Sequence, residues 1–563
     1  MQLTIRHLVC VSFVATLGWI LGAAAPAHGQ DGPPADPPNI LWLSAEDLSP
    51  RLGAYGDPVA QTPHLDRLAE QGVRYTHAFT TAGVCAPSRA AIITGMYQNG
   101  IGAQHMRTTR QGPGLPTPYH AVPPPYVKAF PEYLRAAGYF ATNNRKTDYQ
   151  IGEPSTVWDA SSGEAHWRDR PDADSPFFAV FNFGVTHESQ LFGDDENTTT
   201  DPAEVEVPPY YPDTPDVRQE IARHYDNIAR LDEQVGEMLD QLADDGLADE
   251  TIVVFWGDHG DGLPRAKRWL YDSGIRVPLI VHVPEAYRAW AGIGAPGSTN
   301  DELVSLMDLG PTMLSLAGAD IPQHMNGRAF LGPKASPAPE YVFGARDRID
   351  TVYDMVRSAR GPRYHYIRNG YPRQPYVQTV AYRNQVDVMQ ELLRLHAAGA
   401  LEGAETLWMR DRRPPEELYD TEADPHEVNN LADDPNYQDV LQRMRRATDA
   451  WMESIDDLGT VSEVEMVRRM WPNLQQPQTH APLILPRRTT DLDGWRKPLD
   501  GPTEVIIYSP TQNASIEYKT MPDGRWQLYT GPLHLAETTT IQARAIRYGY
   551  EHSEVTTATF TFP

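Results

Sequence analysis

Three stretches of the chain share one pattern, an unbroken apolar run that stops abruptly in polar residues. They are "NILWLSAEDLSP" (39–50), "FFAVFNFGVTHE" (177–188) and "TIVVFWGDHGDG" (251–262). Runs of this length, rich in aromatic and β-branched residues, predict strands buried on both faces. Between the second and third, Ile221, Tyr225, Ile228, Leu231, Val235, Leu239 and Leu242 recur at helical spacing within 217–243, and Gly246 supplies a stop. Strands alternating with amphipathic helices predict an α/β fold built on a large, mostly parallel sheet flanked by helices. Such folds place their sites just past the carboxyl ends of the strands, so the polar residues closing the three runs should meet on one rim.

From about residue 340 the runs shorten. "YVFGA", "YDMVRSA" and "RYHYIRNG" read as short strands, followed by "EELYDTEADPHEVNNLA" and a polar helix to about Leu458. The expected division is a first unit over 28–339, a smaller subdomain with an antiparallel sheet over 340–472, and a Pro/Gln linker over 473–482. Beyond the linker, "EVIIYS", "SIEYKT", "WQLYTG", "TIQARAIR" and "EVTTATFTF" alternate between turn residues, which predicts a β-sandwich over 483–563.

The first residues alter the cellular setting. Arg6 and His7 precede an apolar stretch from Leu8 to Ala25, closed by Ala25-Pro26-Ala27 and a polar segment. A secretory signal peptide over 1–27 is expected, with export to the periplasm or medium and no membrane span once it is removed. Cys10 lies too early in the apolar stretch for a lipoprotein cleavage site. The 563 residues carry a formal net charge of -27. That charge argues against nucleic acid or an anionic membrane as partner, but leaves room for a small anionic substrate held by a local field.

Of the 2 cysteines, only Cys85 would survive signal removal, so no disulfide can form within the mature chain. It stands in "TAGVCAPSRAAIITG" (81–95), ahead of a helical run and beside Arg89. A thiol at a helix N-terminus near a cation has a depressed pKa, and the residues alone point to a thiol nucleophile. Cys85, Pro87, Ser88 and Arg89, followed by Thr94 and Gly95, resemble the signature Cys-x-Pro-Ser-Arg…Thr-Gly of the type I, formylglycine-dependent sulfatases. The similarity extends from Asn39 to about Ala432.

The resemblance implies an alkaline-phosphatase-like fold and sulfate-ester hydrolysis. It also implies that a formylglycine-generating enzyme oxidises Cys85 before folding, giving an aldehyde whose hydrate is the nucleophile. A bound Ca²⁺ is implied, with Glu46, Asp47, Asp258, His259 and residue 85 as ligands. Glu46 replaces the more usual Asp, and His259 stands where many members have Asn. "GYFATNNRKTDY" and "AKRWLYDSGIRVP" resemble the stretches carrying the two sulfate-binding lysines, which would be Lys146 and Lys267 rather than the adjacent Arg268. Arg89 would orient the nucleophile and His187 would protonate the leaving group. Asp148 occupies the position where many members carry a His that helps expel sulfate.

A sulfated polysaccharide or its fragments is the expected substrate. The alternatives are a phosphonate or phosphate monoester hydrolase on the same scaffold, or a non-catalytic glycan-binding protein. The last 80 or so residues resemble chitobiase-type C-terminal modules. His105, Arg107 and Arg110 form a locally cationic segment that reads equally as substrate contact or solvated loop.

Overall fold

The computed structural model describes residues 36–562 apart from 111–114, 116, 194–197, 488–498, 500 and 523. The expected signal peptide lies outside these residues. The three apolar runs form the adjacent strands Asn39–Ala45, Phe177–Phe183 and Thr251–Gly257 of an eight-stranded sheet. They pair in parallel, with Ala45 level with both Phe183 and Gly257. Phe140–Asn144 and Ala160–Ser162 extend the sheet in parallel on one side. On the other side Leu279–His282 pairs antiparallel to Thr251–Gly257 and to Val73–Tyr75. The sheet is therefore mixed towards that edge and parallel around the site.

The uninterrupted runs have the expected cause, because each strand feeds two cores. Leu41, Leu43, Phe177, Ala179, Phe181, Val253 and Phe255 pack on one face. Ile40, Trp42, Phe178, Val180, Ile252, Val254 and Trp256 pack on the other. The first face is covered by the helix Pro215–Asp244, which buries Ile221, Tyr225, Ile228, Leu231, Val235 and Leu242 against it. Thr214 caps that helix through Val217 N–H, and Gly246 follows its end at φ 72°. The second face is covered by Cys85–Thr94, Phe130–Ala136 and Leu309–Leu316.

The segment after residue 340 forms a four-stranded antiparallel sheet, Val342–Arg346, Val356–Arg360, Tyr364–Asn369 and Glu416–Asp420, in that order. The helix Gln438–Ser454 buries Leu441, Met444 and Trp451 beneath it. The C-terminal part is two antiparallel sheets of three and four strands around Ile484, Val505, Ile507, Ile541, Ala543 and Phe560.

This last unit is seated on the first rather than hung from it. Tyr548 is buried in the core of the first unit, where its hydroxyl donates to Glu132 (2.6 Å) and accepts from Ala129 N–H (3.1 Å). Ser515 donates to the other Glu132 oxygen (2.6 Å). Gly549 N–H donates to Ile151 O (2.8 Å), and a Cβ on Gly549 would stand 2.3 Å from Ala121 O. The positive φ of 77° and this close approach leave only glycine there. The expected linker is drawn into the same seam, with Thr479 buried and Gln478 bridged to Glu551.

Candidate active site

The parallel strands deliver their ends to one rim, as expected. Glu46 and Asp47 follow Ala45, His187 and Glu188 lie beyond Phe183, Asp258 and His259 follow Gly257, and Lys146 follows Asn144. Cys85 opens a helix whose ten residues are all buried and whose N-terminus has no side-chain cap. The amides and positive dipole end of such a terminus favour an anion at position 85. Gly95, the last residue of the motif, ends the helix at φ 64°, and its missing Cβ leaves room for Met325.

Cys85 Sγ lies 3.2 Å from His259 Nε2. The same nitrogen is 3.2 Å from Asp47 Oδ1 and 3.6 Å from Asp258 Oδ1. Asp47 N–H donates to Asp258 Oδ1 (3.1 Å), with Asp47 itself held at φ 53°. Lys267 Nζ reaches both Asp47 oxygens (2.6 and 2.9 Å) and Glu188 (2.9 Å). Lys146 Nζ pairs with Glu46. Arg89 donates to Asp258 (3.0 Å) and to Asn182 (2.8 Å), so it braces a carboxylate beside Cys85. Ser88 donates to Asp258 O (2.7 Å), tying the helix start to the third strand.

Charge dominates this pocket. Burial raises the Cys85 thiol, but Lys267, Lys146 and His259 overcome it and bring it down to about 6. Burial opposes a charged His259, yet Asp258, Cys85 and Asp47 hold it up to about 9. Asp258 is likewise kept well below the carboxylate range against its burial, by His259 and Arg89. His187 is shifted upward because Asp47 and a hydrogen bond with Cys85 outweigh burial. Its Nδ1 is taken by Ser189 (2.8 Å), which leaves Nε2 facing Glu46 at 4.0 Å. A protonated Nε2 on a half-buried ring can deliver a proton to a leaving oxygen.

Two groups of metal-capable donors overlap at Cys85: Glu46, Asp47, Cys85 and His187, and Cys85, Asp258 and His259. Within each group the donor atoms lie within 4.8 Å of one another. Three buried carboxylates, divided between two groups that share Cys85, suit a hard divalent cation. The sulfur is the misfit, since an oxygen at position 85 would match the carboxylates better.

The sulfatase family model matches residues 38–175 and 165–319. An ulvan-active sulfatase of Formosa agariphila is 40% identical across 92% of this chain and 90% of its own length. The chain belongs to the sulfatase family. It is a sulfuric ester hydrolase. The human N-sulphoglucosamine sulphohydrolase is 28% identical over 75% of this chain and 91% of its own. Among solved structures, a 2-O GAG sulfatase shares the fold at TM-score 0.54 and 21% identity, covering 75% of this chain and 93% of that one. The phosphonate monoester hydrolase of Silicibacter pomeroyi does so at 0.53 and 19%, covering 75% and 97%.

In this sulfatase all the expected site residues gather on the rim except Asp148, which stands at its edge. Asp148 is a quarter exposed, 3.9 Å from Lys146 and 3.8 Å from Arg107. Of the cationic segment, His105 is buried beside Arg348, and burial pulls its pKa down to about 4, so it is part of the frame. Arg107 reaches Asp148 at the edge of the site, while Arg110 is exposed.

Two participants escaped sequence reasoning. Asn182 takes Arg89 and Ser44 as donors and donates to Asn143 and Asn144 O. Glu188, fully buried, bridges Lys267 and Arg268, and Arg268 grips it with both terminal nitrogens (2.7 and 2.8 Å). A polar residue inside the apolar run "FFAVFNF" was the available signal for Asn182; Glu188 had none beyond adjacency to His187.

Proposed function

We propose that this sulfatase removes sulfate esters from sulfated polysaccharides or their oligosaccharides, using an oxygen nucleophile at position 85 generated by oxidation of Cys85 to formylglycine. The observation that carries the reading is the surroundings of Cys85: a buried helix N-terminus with Lys267, Lys146 and His259 lowering the thiol. The formylglycine hydrate replaces sulfur with oxygen in a donor set otherwise made of carboxylates and an imidazole.

Ca²⁺ held by Glu46, Asp47, Asp258, His259 and residue 85 would supply Lewis acidity to a sulfate oxygen. Lys146 and Lys267 are placed to neutralise charge developing on the sulfuryl oxygens. Arg89 keeps Asp258 in register with the helix start. His187 Nε2 gives its proton to the departing alcohol, so a sugar hydroxyl leaves neutral. Asp148, at the rim, takes the place of the imidazole that many members use to expel sulfate. The polysaccharide reading is supported by the ulvan-active relative, which aligns along nearly the whole chain. The leader expected over 1–27 from the sequence would direct export, and no helix among the described residues is long and apolar enough to cross a membrane.

Mass spectrometry of the peptide spanning Cys85, from cells that contain a formylglycine-generating enzyme, should show the aldehyde in place of the thiol. Cys85→Ala should lose at least about 10⁴-fold in kcat on an aryl sulfate, the scale of removing a nucleophile. A fully active preparation with an unmodified thiol would overturn the proposal. Faster turnover of an aryl phosphate than of the aryl sulfate would move the enzyme to the phosphoester side of the superfamily.

A further inference from the structure

The segment that brings Lys146 and Asp148 to the site has a second face. Arg145, Thr147 and Tyr149 alternate with them and line a separate cleft of about 450 Å³, whose far wall is Glu517, Trp526 and Arg544 of the C-terminal sandwich. That volume lies in the range of small-molecule sites, roughly 300–1,000 Å³. We propose that this cleft binds a second sugar residue of the polymeric substrate, one that is not losing its sulfate, so that the sandwich supplies part of the substrate site. The inference rests on the polysaccharide reading above.

The wall chemistry is that of a saccharide site. Arg544 is fixed from two sides, by Glu517 (2.8 Å) and by the Trp526 ring (4.6 Å to its centroid), so its guanidinium is pre-organised. Glu517 is steadied in turn by Ser155 of the first unit (2.9 Å). Opposite, Arg145 is exposed, and among the described residues no carboxylate lies within salt-bridge distance of it. Glu153 and Asp159 add acceptors for hydroxyls. Two arginines, acceptor carboxylates and an aromatic ring in one cleft match a hydroxyl-rich ring with an acidic substituent.

The backbone between the two sites is strained in a way that links them. Arg145, Asp148 and Gln150 all have positive φ, 73°, 56° and 60°. Three such non-glycine residues within six cost of order 1–3 kcal/mol each and persist only where the surroundings over-determine them. This segment is held on one side by Lys146 pairing with Glu46 and on the other by the seam with the sandwich at Ile151 and Ser155. A sugar in the cleft would therefore touch the chain that positions the catalytic lysine.

The test compares the wild type with Trp526→Ala and Arg145→Ala on ulvan oligosaccharides and on 4-nitrophenyl sulfate. Each variant should raise KM for the oligosaccharides about tenfold, with kcat for them and kcat/KM for the aryl sulfate held within twofold. Thermal melting of both variants reports whether the sandwich stays seated, and Arg145→Ala leaves the sandwich itself unaltered. Unchanged KM on the oligosaccharides, or equal losses on both substrates, would overturn the cleft as a sugar site. A wild type that turns over the aryl sulfate but not the oligosaccharides would instead remove the polysaccharide reading on which it rests.

Discussion

Two buried clusters in this chain look alike by composition and differ in what they can do. Around Cys85 stand Glu46, Asp47, Asp258, His187 and His259. About the strand Tyr364–Asn369 stand Asp272, His365 and Glu427, also with metal-like spacing. The second cluster is closed upon itself. Arg360 grips both Asp272 oxygens (2.8 and 3.0 Å), His365 Nδ1 meets Glu427 (2.5 Å), and Glu427 accepts from Asp272 N–H (2.6 Å). Each carboxylate there already has a protein partner, and the cluster fastens the antiparallel sheet to the first unit. Around Cys85 the cations crowd the proposed nucleophile at a helix start, and Lys146, His187 and Asp148 keep 14–25% of their side chains open to solvent. Metal-like spacing marks both clusters; cations gathered at a helix start beside side chains that reach solvent mark only one.

The comparison breaks most visibly by removing carboxylates at the site. Asp47→Asn and Asp258→Asn should each cut kcat by about 10³-fold while the protein stays folded, and a chelator should mimic them until Ca²⁺ is restored. The double variant should lose little more than either single one, because both changes disable one shared ion. Additive losses, or indifference to metal in a verified apo-protein, would show that the two strands do not share a cation.

The corresponding change in the closed cluster should act on stability instead. Asp272→Asn leaves Arg360 buried without its charge partner, a loss on the order of 3–5 kcal/mol. Urea unfolding should record that drop, and kcat of the folded fraction should stay within about twofold. A large fall in kcat with unchanged stability would assign the second cluster a chemical role.

How much of this was legible beforehand follows from where the deciding information lies. The strands 39–45, 177–183 and 251–257 could be read because two-sided burial writes itself into a local run of apolar residues. The rim followed from their parallel order, and Cys85 from a compact motif. Leu279–His282, only four residues long and antiparallel, carries no such signature, so the mixed edge of the sheet was not foreseen. Tyr548 reads as one more residue after a strand; its place in another unit's core depends on Glu132 and Ala129, over four hundred residues away. Glu188 has the same character, since its role is set by Lys267 and Arg268 from a distant loop.

A buried carboxylate outside both clusters sharpens the contrast most gently. Glu220, on the long helix, accepts from the amides of Asp387 and Val388 and so caps the helix Asp387–Ala398. Its nearest cation, Arg223, is 3.7 Å away, against 2.6 Å between Lys267 and Asp47. Burial therefore wins and pushes Glu220 up to about 7, whereas the site carboxylates Asp47 and Asp258 are shifted downward. With the folded value above the unfolded 4.5, the native state keeps a proton that the unfolded chain releases. Stability from this group is then complete below pH 4.5 and is lost as pH rises towards 7, by up to roughly 3 kcal/mol. Urea midpoints measured between pH 5 and 7 should fall with rising pH in the wild type, and Glu220→Gln should flatten that part of the slope. Equal slopes in both proteins would mean that the two amides and Arg223 suffice to keep Glu220 ionised, as cations do for the carboxylates at the site.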